Sequence, residues 1–454
     1  MYRLSIIFLS IVCAGCVSLL PDYHRPDAPV PKLLPAADNA GQATLHQWDK
    51  VFSDHRLREV IATALKSNRD LHKAIADIAA AKALYQETRA SLLPGISATL
   101  DSARNRTSGE GISSSASGEG LMSAFELDLF GRNRSLSESS RESWLASVWT
   151  AQNTRLTLVK ETSTAWIALA TDLNLLSLAR QTMQSAEESL RLIRRKEQNG
   201  LAAAEDISSA QAVYYQARAS VSEYQTQVRQ DRNALELLTG APVPDRLLPD
   251  ELHTLTENSI AIVPAGTSSS VLLRRPDIKE AEHNLIAANA DIGAARANFF
   301  PSLSLTASAG VGSRSLSGLF SGGQKIWTFS PSLSLPLFTG GKNLAQLRYA
   351  EAQKKGYIAT YEKTIQSAFK DVSDALARRQ TLTEQLDAQR NYVAAEQKTL
   401  SVALRKYEAG TGEYLSVQTA YRALWAAEQQ LITLQQTDMN NRIQLWQSLG
   451  GGFS

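Results

Sequence analysis

The sequence predicts a mostly α-helical chain that carries membrane-type β-hairpins and is built as two copies of one unit. Three observations lead there. Segments around residues 299–341 and 92–131 alternate apolar and hydroxyl side chains. Residues 132–198 and 342–408 run without proline and with a single internal glycine, Gly356. The second half of the chain then repeats the motifs of the first in the same order.

The N-terminus comes first. Arg3 supplies a positive region, Leu4 to Val12 form a short apolar stretch, and Cys13-Ala14-Gly15-Cys16 follows. The apolar stretch is too short to span a bilayer, and the layout is that of a secretion signal. The four residues ending in Cys16 are similar to the bacterial lipoprotein box, with Cys13 where leucine is usual. That similarity implies a lipid (palmitate and related acyl groups) on Cys16, and Val17 in place of aspartate implies transfer to the outer membrane. An ordinary cleaved signal with a chance cysteine is the alternative. With both cysteines here, no internal disulfide framework is expected. The signal is assigned to 1–15, followed by an extended segment at 16–54 whose prolines in PDYHRPDAPVPKLLP oppose a regular helix.

The first unit is placed at 55–240. Leu57, Ile61, Leu65, Leu71, Ile75 and Ile78 form a helix face that runs to Leu93-Pro94. Strands are expected at about 94–105 and 120–130, a long helix at 132–198 and a return helix at 204–238. A linker rich in Pro, Thr and Ser occupies 241–270. The second unit, 271–454, has a helix, strands at about 301–312 and 325–338, a long helix at 342–408 and a return helix at 414–448.

Self-comparison supports the division. Asp70 to Pro94 aligns without a gap to Asp277 to Pro301, ISATL at 96–100 to LSLTA at 303–307, and, with a one-residue slip, FELDLFG at 125–131 to LSLPLFTG at 333–340. Asn199-Gly200 corresponds to Ala409-Gly410, and Gly240 to Gly450. In the long segment of the second unit, Ile365, Phe369, Val372, Leu376, Leu386, Val393, Leu400, Leu404 and Tyr407 recur near a 3.5-residue spacing, a coiled-coil-like seam. Each such segment would reach roughly 100 Å if continuous.

In the last hairpin Trp327, Phe329, Leu333, Leu335 and Leu337 share one face, and Thr328, Ser330, Ser332 and Ser334 the other. A soluble sandwich could hold such a hairpin. A barrel around a wet lumen suits it as well, but four strands cannot close a barrel and an open edge cannot face lipid. Membrane insertion therefore requires oligomerisation: two subunits give eight strands, three give twelve, and the hydroxyl-lined face favours three.

Composition narrows the function classes. Forty-seven basic and 45 acidic residues give a net charge of +2, with no basic field for nucleic acid. Six scattered histidines show no metal-ligand spacing, no phosphate loop or dinucleotide fingerprint is present, and no nucleophile has a paired base. A hydrolase is thereby disfavoured, and neither enzyme activity nor a metal or other cofactor is expected. The arginines of LLRRPDI are expected to pair with acids, with Pro276 opening a helix.

PDYHRPDAPVP, NRDLHKAIADIAAAKALYQETRASLLP (68–94), FELDLFGRNR (125–134), LLRRPDI (272–278), AANADIGAARANFFPSLSLT (287–306) and the closing LGGGF together resemble the outer-membrane efflux proteins, the TolC/OprM-like outer-membrane factors of the lipoprotein (NodT) type. The resemblance covers essentially the whole mature chain. It implies a homotrimer in which a 12-stranded outer-membrane β-barrel continues into a long periplasmic α-helical barrel, with an equatorial belt formed partly by the linker and terminal segments. It implies a passive, gated exit duct for drugs or other small toxic compounds, working with a periplasmic membrane-fusion adaptor and an inner-membrane transporter of the RND type. A polypeptide secretion duct and a pore-free periplasmic coiled-coil scaffold are the alternatives. The resemblance further implies that the turns at Asn199-Gly200 and Ala409–Gly412 form a periplasmic gate and adaptor-docking end, with Glu205, Asp206, Glu413, Tyr414 and Arg422 as candidates. Thr419 stands where relatives commonly carry an acid. Glu126 and Asp128, alternating with Phe125, Leu127 and Leu129, are expected to face the lumen as strand charges, because charges facing lipid are costly.

Overall fold

The structure is a computed structural model that describes residues 18–35, 47–107, 111–252, 260–261 and 268–452. Cys16 and the signal lie outside the described residues. In chain order the elements are α1 (Trp48–Val51), α2 (His55–Ser67), α3 (Arg69–Ala90), β1 (Ile96–Thr107), β2 (Gly111–Leu127), α4 (Arg132–Gln198), α5 (Ala204–Thr239), α6 (Pro276–Ala297), β3 (Ser302–Ser313), α7 (Leu316–Gly322), β4 (Gln324–Ser334), α8 (Lys342–Glu408) and α9 (Tyr414–Ser448). No helix among the described residues is long and apolar enough to cross a membrane. The chain divides into two compact units: residues 1–28, 76–149 and 279–363, and residues 29–75, 150–278 and 364–454.

The first unit holds the sheet. Its order is β1-β2-β3-β4 and every neighbouring pair is antiparallel. Each hairpin is local, and β2–β3 pairing joins the two. β2 is longer than its apolar pattern: the Ser/Gly-rich residues from 111 are held by pairing with β1, from Thr107↔Gly111 to Ile96↔Met122. It stops at Leu127, and β4 stops at Ser334, just before Pro336, which has no N–H to give a ladder. A bulge lies between Met122 and Phe125 opposite β3, with Ala124 at φ 27° and its N–H donating to Thr306 Oγ1 at 3.3 Å. The loop between β3 and β4 contains the short helix α7, capped by Ser315 Oγ, which accepts from Gly318 N at 3.1 Å.

An extended arm is fastened to α6 in this unit. Arg25 pairs with Glu282, its Nε donating to Oε1 at 2.6 Å, and Asn289 Nδ2 donates to the Pro21 carbonyl at 2.8 Å. His283 Nδ1 lies 2.6 Å from Glu142 Oε2, tying α6 to α4.

The second unit is helical. The single helix expected from His55 to Leu93 is instead broken at Asn68. Its Oδ1 accepts from Leu71 N at 2.9 Å, capping α3, while its Nδ2 donates to Leu238 O at 2.9 Å. The hydrophobic period continues through the break because Leu57, Ile61 and Leu71 are all buried. The short helix α1 also interrupts the segment expected to be extended. Phe52, just after α1, bridges to Ile260 and meets the Trp446 ring edge-on at 5.9 Å. The linker is pinned by Trp166, whose Nε1 donates to Leu247 O at 3.0 Å. Buried Arg275 pairs with Asp277 (2.7 Å) and donates to Ser448 O (2.9 Å), closing the C-terminus onto the start of α6. Gly240 has φ 66°, and a Cβ there would run into the Ser67 carbonyl.

α4 and α8 are each 67 residues long, and their return helices are 36 and 35. Glycine sets the ends: Gly131 (φ 75°) and Gly341 (φ 85°) precede the long helices, and Gly200 (φ 71°) and Gly410 (φ 72°) follow them. At the first turn Leu201 N donates to Lys196 O at 2.8 Å, and at the second Thr411 N donates to Lys406 O at 2.9 Å.

Candidate functional site

Two places answer to the residues singled out in the sequence: the sheet in one unit and the helical turns in the other. In the sheet, directly paired residues share a face. Leu303, Leu305, Ala307, Ala309 and Val311 of β3 therefore lie with Leu333, Pro331, Phe329, Trp327 and Lys325 of β4. On β2 the same face carries Leu127, Phe125, Met122, Gly120 and Gly118, and on β1 it carries Ile96, Ala98 and Leu100. The opposite face carries Ser302, Ser304, Thr306, Ser308, Thr328, Ser330 and Ser332.

The bulge makes this continuity possible. Met122 and Phe125 are three residues apart, which in a regular strand would put them on opposite faces; the extra residue returns Phe125 and Leu127 to the apolar side. The apolar face is open: Trp327 is 75% exposed and Ile96 81%. Ser308 and Thr328 hydrogen-bond across the other face at 2.9 Å.

Glu126 pairs with Ser304 in the ladder and so lies on the hydroxyl face, where Arg132 holds it (Nη2–Oε2 2.8 Å, Nε–Oε1 3.1 Å). Asp128 requires a correction. It lies beyond the end of β2 and is no strand residue. Its carboxylate accepts from Asn133 N (3.1 Å) and Arg134 N (2.9 Å) and pairs with Arg134, so it caps the first turn of α4. Alternation with Leu127 and Leu129 imitated a strand across a bend, completed at Gly131 (φ 75°), that leads into the helix.

At the helical turns Leu190, Ile193, Ala210, Leu400, Tyr407, Tyr414, Val417 and Ala420 form one buried cluster. The two hairpins, α4–α5 and α8–α9, thus pack together near their turns. Tyr414 is only 4% exposed and its ring lies 5.3 Å from that of Tyr407. Burial first, then the neighbouring Tyr421, Tyr407 and Asp206, push its hydroxyl up to about 12. It is a core residue of the turns and packs the two hairpins together.

Asp206 is half-buried and turned back on its own helix, Oδ2 accepting from Ala203 N at 3.2 Å. Glu205, Glu413 and Arg422 are exposed, as is Thr419, whose hydroxyl donates to Leu415 O at 2.9 Å. The sequence reading missed Lys196. Its Nζ donates to Tyr407 O at 3.0 Å and sits 4.2 Å above that ring, joining α4 to α8. It also missed the carboxyl pair Asp172 and Asp231, one on α4 and one on α5. Burial, followed by the hydrogen bond and charge of Asp231, raises Asp172 to about 7. No spacing in the sequence marks either contact, since each joins helices far apart along the chain.

Among the described residues no group of His, Cys, Asp and Glu could hold a metal ion. The arrangement is one of faces and turns.

Comparison with known proteins agrees with this geometry. The family described as "Outer membrane efflux protein" matches residues 60–241 and 267–451. The toluene efflux pump outer membrane protein TtgC of Pseudomonas putida is 42% identical, with 99% of this chain and 95% of that protein aligned. The cation efflux system protein CusC of Escherichia coli is 36% identical over 98% of this chain and 97% of its own length. Among solved structures, a membrane protein of Pseudomonas aeruginosa superposes with a TM-score of 0.89 at 38% identity, covering 96% of this chain and 98% of its own. The open state of the Neisseria gonorrhoeae MtrE outer membrane channel superposes with a TM-score of 0.87 at 34% identity, with the same coverages. An apolar-faced sheet, paired long helical hairpins and likeness along the whole chain converge: this chain belongs to the outer membrane efflux protein family and is an outer-membrane channel component of an efflux pump.

Proposed function

We propose that three copies of this chain close a 12-stranded barrel in the outer membrane, continue as an α-helical barrel into the periplasm, and act as the passive, gated exit duct of a tripartite pump. The carrying observation is the four-stranded sheet with one apolar face, one hydroxyl face and two outer strands, β1 and β4, that have no further neighbouring strand among the described residues. Exposed strand edges are untenable in lipid, where each unpaired backbone group costs several kcal/mol. Pairing β1 of one copy with β4 of the next removes both edges. The matched lengths of α4 and α8, and of α5 and α9, support the two-copy internal repeat.

The helical turns are proposed as the gate and the adaptor-docking end. Glu205, Glu413 and Arg422 are available at the surface there, whereas Tyr414 and the Lys196–Tyr407 contact hold the two hairpins together. A lipid on Cys16 would tether the chain to the membrane. The partners are a periplasmic membrane-fusion adaptor and an RND-type inner-membrane transporter, and the duct itself does no covalent chemistry. The relatives are named for toluene, antibiotics and cations; that range supports a generic duct for small toxic compounds whose cargo is chosen by the transporter.

The test is single-channel recording of the purified protein in a planar bilayer. Discrete conductance steps are expected, larger or more frequent when Asp206, Glu413 and Arg422 are neutralised together. A stable trimer that stays silent in both forms would overturn the duct reading and return the pore-free scaffold to consideration.

A further inference from the structure

The two faces of the sheet differ in the sign of their charge as well as in polarity. Six charged residues lie in the described strands: Asp101, Arg104 and Arg106 on β1, Glu119 and Glu126 on β2, and Lys325 on β4. Asp101 opposes Ser117, Glu119 opposes Gly310 and Glu126 opposes Ser304, so all three acids lie on the hydroxyl face. Arg104 opposes Ser114, Arg106 opposes Ile112 and Lys325 opposes Val311, which puts all three bases on the apolar face.

The bases also share one end. Along β1 the apolar face reads Ile96, Ala98, Leu100, Ser102, Arg104, Arg106, and Lys325 stands in the row of Leu100. This is the end of the hairpin turns, away from the strand ends that lead into the long helices. A basic residue on a lipid-facing strand costs about 2–4 kcal/mol at the midplane and roughly 0–1 near the interface. Confinement to the rim is therefore the tolerated arrangement. All three are exposed, and among the described residues no carboxylate pairs with them.

Apolar groups lie beside them. A Cβ at Gly118 would meet Leu100 Cδ1 at 3.5 Å and Leu319 Cδ2 at 3.8 Å, so α7 lies against this same face. From α7, Leu316 is 50% and Phe320 80% exposed. Three cations above a field of leucine and aromatic side chains match an amphiphile with an anionic head and acyl chains. Guanidinium groups favour the doubly bonded geometry that phosphate accepts.

We propose that Arg104, Arg106 and Lys325 form a binding surface for the phosphate-bearing headgroup of an outer-leaflet lipid, whose acyl chains lie on the apolar face below. The proposal rests on the barrel reading above. The test reconstitutes the full-length protein in phosphatidylcholine vesicles containing bis-phosphorylated lipid A or its dephosphorylated form, and quantifies the lipid that co-purifies. Wild-type protein is expected to retain the phosphorylated form selectively. R104Q/R106Q/K325Q should weaken that retention by roughly a hundredfold, at about 1 kcal/mol per basic residue. The opposite-face variant D101N/E119Q should not weaken it, and millimolar inorganic phosphate should not displace the lipid.

Equal retention of both lipids, an unaffected triple variant, or displacement by inorganic phosphate would overturn the proposal. Quenching of Trp327 fluorescence by brominated acyl chains, absent in W327F, separates this failure from failure of the barrel. Quenching without lipid selectivity overturns only the headgroup surface, and no quenching overturns both readings.

Discussion

Asp172 and Asp231 form a carboxyl pair between α4 and α5, and their chemistry is that of like charges brought together with little water. Burial and the neighbouring carboxyl raise Asp172 from 3.8 to about 7. A folded-state carboxyl above its unfolded value binds an extra proton on folding. Its favourable contribution is thus fully present below pH 3.8 and is lost as pH rises to about 7. Asp172→Asn should flatten this part of the pH–stability curve and stabilise the protein at pH 8 by on the order of 1 kcal/mol, since partial exposure screens the pair. Thermal unfolding at pH 5 and pH 8 checks this; an unchanged difference between the two pH values would contradict the pairing. Tyr414 is the second residue-scale case. Truncation to alanine empties a site between two hairpins and should cost about 3–5 kcal/mol of local stability. Hydrogen exchange at the turns of α4–α5 and α8–α9 reads that loss, and a residue serving only as a surface contact would leave exchange unchanged.

At the scale of elements the bulge in β2 carries the most consequence. Deleting Ala124 removes the extra residue and leaves Met122, Ser123 and Phe125 in regular alternation opposite Ala307, Thr306 and Leu305, so Phe125 and Leu127 keep the apolar face. Deleting Ser123 and Ala124 together turns them toward the hydroxyl face and exchanges them with Glu126. The expected outcome for the double deletion is loss of folded, membrane-inserted protein, read as loss of the heat-modifiable band on electrophoresis, whereas the single Ala124 deletion keeps it. The turns of the long helices obey a simpler rule. Gly200 and Gly410 occupy left-handed conformations, so a β-branched residue there costs at least about 1–2 kcal/mol. Gly356 lies inside α8 with nothing near its missing Cβ, and Gly356→Ala should stabilise that helix by roughly 0.5–1 kcal/mol. Differential scanning calorimetry distinguishes these opposite signs. Much of this was legible in the sequence: a long breaker-free run ending in glycine names its own bounds. The division of α2 from α3 was not. Asn68 interrupts no hydrophobic period; its cap on Leu71 N is local, but the Leu238 carbonyl that fixes its amide is brought near only by the fold.

For the whole molecule, the acids on the hydroxyl face carry a functional consequence. If that face surrounds the lumen, Asp101, Glu119 and Glu126 place negative charge along the path and favour cations. Neutralising all three should move the cation-to-anion permeability ratio toward unity, measured as reversal potential in a salt gradient across a bilayer. A ratio unchanged by the triple variant would place these acids away from the conducting path. Within the efflux family, cargo chemistry does not have to be written in the duct. Under the proposed barrel, a lumen lined by serine and threonine would offer hydrogen bonds to many solutes and a pocket to none, consistent with the different compounds for which its relatives are named.

Length, repetition and local stereochemistry were determined by the sequence alone. Breaker-free runs set the long helices, glycines with positive φ set their turns, and alternation set an apolar and a hydroxyl face, because each is encoded within a few neighbouring residues. Tertiary structure decided the rest. It put Asp128 on a helix end instead of in a strand, buried Tyr414 between hairpins, joined Lys196 to Tyr407, and used the bulge at Ala124 to keep one face apolar across all four strands. These outcomes depend on which distant segment lies opposite. A single residue of register reverses a strand's faces, and a cap or a buried ring acquires its role only when its partner arrives.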